Sequence, residues 1–154
     1  MIPTTRKRTP KVIAARRQAR ELALQALYEL DMTRHPVGEV IETRLRETED
    51  LLPEAEPFMR QLVRGVVEHR DEIDPYVAQI APEWPIEQMA VVDRNILRLA
   101  LYELLYTPET PYKVVINEAV ELAKEFGGPN SPRFINGALG TFVSMYLNRA
   151  SSQE

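Results

Sequence analysis

The chain has 154 residues and a mass of 17.7 kDa, enough for one ordinary domain or two very small ones packed together. It holds no cysteine and only two histidines, His35 and His69; disulfides, thiolate zinc sites, iron–sulfur ligation, a cysteine nucleophile and a three-histidine metal site are excluded. The formal net charge of −4 argues against a polyanion partner, but residues 1–20 carry seven cations and no acid, while residues 21–154 carry 12 cations and 23 acids.

In chain order, residues 1–13 contain Pro3, Pro10 and three threonines and read as a basic mobile arm. A basic arm on an acidic body suits a chain that reaches for a polyanion, and it equally suits a solubilising tail. Residues 14–34 lack proline and glycine, and Ala15, Ala19, Leu22, Ala23, Ala26 and Leu30 fall on one helical stripe. Pro36 and Gly38 end that pattern, and a second helix is expected over 37–50. Pro53 and Pro57 mark the next break. A third helix follows, with Phe58, Leu62, Val63, Val66 and Val67 on one face and Gly65 inside it. A short fourth helix is expected to end near Ala81.

Pro82-Glu83-Trp84-Pro85 is the clearest loop in mid-chain and marks an expected boundary between two sub-bundles of a single domain spanning 14–150, with a tail over 151–154. Residues 86–106 read as one long helix. Residues 112–126 form an amphipathic helix with Val115, Ala119, Leu122, Ala123 and Phe126 facing inward. Gly127-Gly128-Pro129 is expected to stop it in the usual glycine-capped manner, with Ser131 capping the last helix and Pro132 at its first position. Period-two runs are missing, so the expected fold class is all-α, about seven helices in two small packed bundles. No apolar run reaches the roughly 18 residues a membrane span needs, and a cytoplasmic location is expected.

Motifs for catalysis are missing: there is no phosphate-cradling glycine loop, no HExxH and no nucleophile elbow. No cofactor is expected, and the chain reads as a binder. Two regions suit binding. On the first helix, Arg17, Arg20, Leu24 and Tyr28 lie opposite the alanine stripe, and Arg and Tyr are residues that interfaces favour. A helix packed on both sides would give the same pattern. The second region is the turn 127–134, where a helix N-terminus stands beside Arg133, with Lys124 one turn back and Phe134 offering a stacking face. A plain helix connector with Phe134 in the core is the competing reading. Asp93 and Glu103 fall within or beside the apolar stripe of their helix, so each needs a donor, inside the fold or on a partner.

Three blocks carry a family resemblance: RRQARELALQALYELD over 16–31, DRNILRLALYEL over 93–104, and PYKVVINEAVELAKEFGGPNSPRFINGAL over 111–139. In these the chain resembles the NusB family of transcription antitermination factors. Residues 37–81 match only in helical pattern, and the arm before residue 14 is longer than in the family. The resemblance implies an all-helical fold, binding of the boxA segment of ribosomal RNA leader transcripts, and partnership with the ribosomal protein NusE in the antitermination complex on RNA polymerase. Carried over by position, it implies RNA contacts at Arg16, Arg17, Arg20, Asn130, Ser131, Arg133 and Phe134, and NusE contacts at Tyr28 and Asp93, with Leu24 in the same region. The resemblance implies an acid in some relatives where this chain has Asn130; a neutral side chain there removes a repulsion from phosphate, so undiminished RNA binding is expected. A helical scaffold or homodimer with no RNA role is the alternative.

Overall fold

Helix-forming stretches separated by proline and glycine account for the architecture. The computed structural model describes residues 9–147, and among them there are seven α-helices and no strand. The helices are α1 (Pro10–Met32), α2 (Val37–Arg46), α3 (Ala55–Glu68), α4 (Arg70–Ile80), α5 (Val91–Tyr106), α6 (Tyr112–Phe126) and α7 (Ser131–Phe142). Residues 1–8 and the 151–154 tail lie outside the described residues.

α1 starts at Pro10, four residues before its expected beginning, so 10–13 belong to the helix and not to an arm. The cause is local. The Thr9 hydroxyl accepts the Val12 N–H at 3.2 Å, and Pro10 occupies the first helical position, where no intrahelical donor is needed. α2 ends at Arg46, short of the expected Asp50. Asp50 itself takes φ 56°, a left-handed conformation that Asp tolerates better than most side chains.

The chain divides into two compact units, Met1–Gly65 and Val66–Glu154. The division falls inside α3 and not at the Trp84 loop, because α4 and α5 on either side of that loop pack together in the second unit.

In the first unit, Ala15, Ala19, Ala23 and Ala26 of α1 are buried, and α1 packs with α2. Polar clips fix the register. Gln18 accepts the Leu52 N–H at 2.8 Å and donates to the Asp50 carbonyl at 3.1 Å, tying α1 to the loop before α3. Arg44 of α2 donates to Gln25 and Glu29 of α1. Arg60 of α3 bridges Glu42 of α2 and Glu56 of its own helix. The Arg60 hydrogen bonds hold the Glu42 carboxyl below its ordinary 4.5.

In the second unit, Arg98 is 3% exposed and donates to both oxygens of Asp74 at 2.9 and 3.1 Å, joining α5 to α4. Leu97, Leu101, Val115, Leu122, Ile135, Leu139 and Phe142 are buried, and α6 packs against α5 and α7. The expected helix over 86–106 is broken at Met89, which is extended (φ −68°, ψ 149°) between a 3₁₀ turn at Ile86–Gln88 and α5. Arg94 reaches back to the Ile86 carbonyl at 3.2 Å, which also accepts the Met89 N–H at 3.3 Å, and so ties α5 to the 3₁₀ turn.

Candidate nucleic-acid interface

In the first unit, spacing i to i+4 places Arg16 and Arg20 on one side of α1, and the Phe58 ring of α3 meets that side. The Arg16 guanidinium carbon sits 4.2 Å from the ring centroid and that of Arg20 sits 5.3 Å away. Two cations on one ring are held by the ring quadrupole and by contact of their planar groups. Beside them lies a cleft of about 320 Å³, lined by Val12, Arg16, Pro53, Glu54, Phe58 and Gln61.

The expected contact set is altered here. Arg20 is only 4% exposed, so its head group is part of the unit's interior. Arg16 is half-buried, and Arg17 is exposed, as is Lys11 on the first turn. Leu24 is 2% exposed and cannot offer a contact surface, whereas Tyr28, one turn on, is 42% exposed. The reason is that α1 is covered on more than one side, by α2 and by Phe58. Phe58 reads in the sequence as part of an ordinary apolar face, and nothing local marks it as the platform for Arg16.

In the second unit, α6 ends at Phe126 and Gly127 caps it with its N–H on the Ala123 carbonyl at 2.9 Å. Gly127 is extended (φ −93°, ψ −172°), and no glycine among the described residues has positive φ. Gly127 does stop the helix as expected, but not through the left-handed conformation that glycine caps commonly take; glycine is needed here for a different reason. A Cβ on Gly127 would lie 2.6 Å from both Cβ and Oγ of Ser131 and 2.8 Å from the Ala123 carbonyl oxygen.

Ser131 is the first residue of α7 and not its cap; Asn130 holds that place, with no capping bond from its side chain. The Ser131 hydroxyl accepts the Gly128 N–H at 2.9 Å and donates to Asp93 Oδ1 at 2.7 Å. Asp93 thus has an internal partner. Glu103, at 1% exposed, is likewise enclosed by the protein. Asn130 and Arg133 are exposed, and Phe134 is half-buried. Lys124 is exposed and pairs with Glu121 at 3.0 Å, a surface pair of small energetic weight.

The two patches belong to different units: Arg16 and Arg17 to the first, Asn130, Arg133 and Phe134 to the second. Among the described residues no group of three His, Cys, Asp or Glu side chains is placed to hold a metal ion, and no helix is long and apolar enough to cross a membrane.

An all-helical protein that presents cations and a polar turn beside a half-buried aromatic belongs to the class of helical binding proteins. Comparison with known proteins narrows the class. The sequence profile of the NusB family matches residues 17–144. The transcription antitermination protein NusB of Roseiflexus castenholzii is 52% identical over 137 residues, covering 88% of this chain and 96% of that protein. That of Chloroflexus aggregans is 47% identical over 146 residues, covering 94% and 97%. NusB of T. maritima superposes with a TM-score of 0.76 at 35% identity, covering 88% of this chain and 92% of that one. A crystal structure of antitermination factors NusB and NusE in complex with dsRNA contains a chain that superposes with a TM-score of 0.77 at 27% identity, covering 87% and 99%. The chain belongs to the NusB family.

Proposed function

We propose that this chain binds boxA RNA of ribosomal RNA leader transcripts together with the ribosomal protein NusE, and so helps assemble the antitermination complex on RNA polymerase. As a member of the NusB family it is a transcription antitermination factor. Its work is binding, with no catalytic step and no cofactor, and it takes place in the cytoplasm with the nascent transcript. The observation that carries the RNA reading is the turn 127–133, where Asn130 and Arg133 stand exposed at the N-terminus of α7. The N–H groups of a helix's first turn and its macrodipole favour phosphate there, and the Arg133 fork supplies charge and donors.

The RNA contacts fall separately in each unit: Arg16 and Arg17 in the first, and Lys124, Asn130, Arg133 and Phe134 in the second. Arg20 acts from beneath, packing on Phe58 next to Arg16. The NusE contacts are Tyr28 in the first unit and the half-buried Asp93 in the second, without Leu24.

Anisotropy titration of labelled single-stranded boxA RNA, across a range of salt and with and without NusE, tests this reading. Arg17→Ala and Arg133→Ala should each weaken binding and reduce the salt slope by roughly 0.7 for every phosphate no longer neutralised. Unchanged affinity and slope in both would refute the placement. Equal affinity for a duplex RNA of the same length would refute single-strand recognition. A dimer that binds neither RNA nor NusE would favour the scaffold alternative.

A further inference from the structure

The family resemblance implies an RNA contact at Ser131, and the structure gives its hydroxyl other work. The side chain is buried, at 6% exposed. A hydroxyl has one proton and two lone pairs. Here the proton goes to the Asp93 carboxylate at 2.7 Å, and a lone pair takes the Gly128 N–H at 2.9 Å. Phosphate oxygens only accept, so this hydroxyl has no hydrogen left to offer them. The bond to Asp93 is charge-assisted, and stronger than one between neutral groups. It joins the first turn of α5 to the first turn of α7 across 38 residues of sequence, inside the second unit. Gly127 presses on the same serine from the other side, where a Cβ has no room. An acid beside an RNA-facing turn works against polyanion binding by simple electrostatics, unless it holds the turn in shape.

We propose that Ser131 and Asp93 are a positioning pair: their hydrogen bond fixes the turn 127–131 so that Asn130 and Arg133 face the RNA, and Ser131 itself makes no RNA contact. This rests on the RNA reading above. The pair acts by preorganisation, since a turn already held in its bound form loses less conformational freedom on binding.

The two accounts predict opposite signs at Asp93. If the carboxylate is only a nearby negative charge, Asp93→Ala tightens RNA binding or leaves it unchanged. If it positions the turn, Asp93→Ala weakens binding about as much as Ser131→Ala does. The test is anisotropy titration of the full chain with single-stranded boxA RNA, in the absence of NusE, for Ser131→Ala, Asp93→Ala, the double variant, Asp93→Asn and Arg133→Ala. The expected result is a loss of roughly fivefold to tenfold in each alanine variant of the pair, less than the full strength of the bond because RNA binding loses only the turn's preorganisation. The double variant should lose no more than either single one, because both remove the same bond. Asp93→Asn keeps an acceptor and removes the charge, so its binding should return to the level of the unaltered chain or exceed it.

Hydrogen exchange at the Gly128 amide should accelerate in the Ser131→Ala and Asp93→Ala variants and stay slow in Asp93→Asn. Asp93→Ala binding as tightly as the unaltered chain overturns the pair, and so do losses that multiply in the double variant. Should Asp93→Ala fail to fold, Asp93→Asn against Ser131→Ala decides, since equal losses in those two also overturn it. Arg133→Ala separates the failures. If it weakens binding while the pair variants do not, only the positioning role falls; if it has no effect, RNA lies elsewhere and the reading of the turn falls with it.

Discussion

Gly127 and Gly128 are neighbours with opposite structural demands, and Gly127→Ala makes that difference measurable. A Cβ at 127 would sit 2.6 Å from Ser131 Cβ and Oγ and 2.8 Å from the Ala123 carbonyl, inside van der Waals contact on both sides. A Cβ at 128 would meet nothing within 4 Å. Relief at 127 requires Ser131 to move, which breaks the charge-assisted bond to Asp93 at a cost of about 1.5–3 kcal/mol. Overpacking without such movement costs about 1–3 kcal/mol. The two are alternative outcomes of one clash, so they are not summed. Alanine also narrows the unfolded ensemble, which returns about 0.4–1 kcal/mol. With relief through Ser131 the net expectation is a loss of about 0.5–2.6 kcal/mol, or a melting temperature lower by roughly 1–10 °C in a chain of this size. Gly128→Ala should fall within about 0.5 kcal/mol of the unaltered chain, or be slightly more stable. Thermal melts followed by circular dichroism, with urea titrations at 25 °C, measure both. A Gly127→Ala variant as stable as the unaltered chain, or a Gly128→Ala variant that loses as much, refutes the steric account of this turn.

Other variants test the remaining assignments. Leu24→Ala should cost about 2–5 kcal/mol in urea unfolding, because it empties a site that is 2% exposed. Tyr28→Asp, at 42% exposed, should change stability by less than about 0.5 kcal/mol and weaken NusE binding in a pull-down or calorimetric titration. Asn130→Asp places an acid at the RNA-facing turn and should weaken RNA binding severalfold, with the deficit largest at low salt, in the same anisotropy assay. Because Arg60 holds Glu42 below 4.5, the unfolded chain takes up that proton first. The stabilisation is therefore complete above about pH 4.5 and lost as pH falls through the depressed value. Glu42→Gln should flatten the fall in urea midpoint between about pH 5 and pH 3, and an unaltered slope would sever Glu42 from acid stability.

Local sequence determined which stretches are helical, though not every boundary: α1 begins at Pro10, α2 ends at Arg46, and the stretch 86–106 is broken at Met89. Tyr112–Phe126 runs as its spacing predicts, and α7 follows directly on the Gly127-Gly128-Pro129 turn. Proline, glycine and apolar period act over a few residues, so they leave their mark in one stretch of chain. The start of α1 is equally local, since Thr9-Pro10 is a capping pair that the proline and threonine content of the arm obscures. The exposed part of the turn, Asn130 and Arg133, is readable for the same reason.

What the tertiary structure decided is which faces are covered and what each polar group is bonded to. Helical angle alone places Arg20 and Leu24 on an outer side, and packing on several sides of α1 buries both. Ser131 resembles a cap or an RNA contact, and a carboxylate 38 residues away in sequence takes its proton as a hydrogen bond. Periodicity reports that a helix has an apolar stripe, but it carries no information on how many neighbours the helix has. Only non-local packing sets that number, and with it which side chains are left facing outward for RNA or a protein partner.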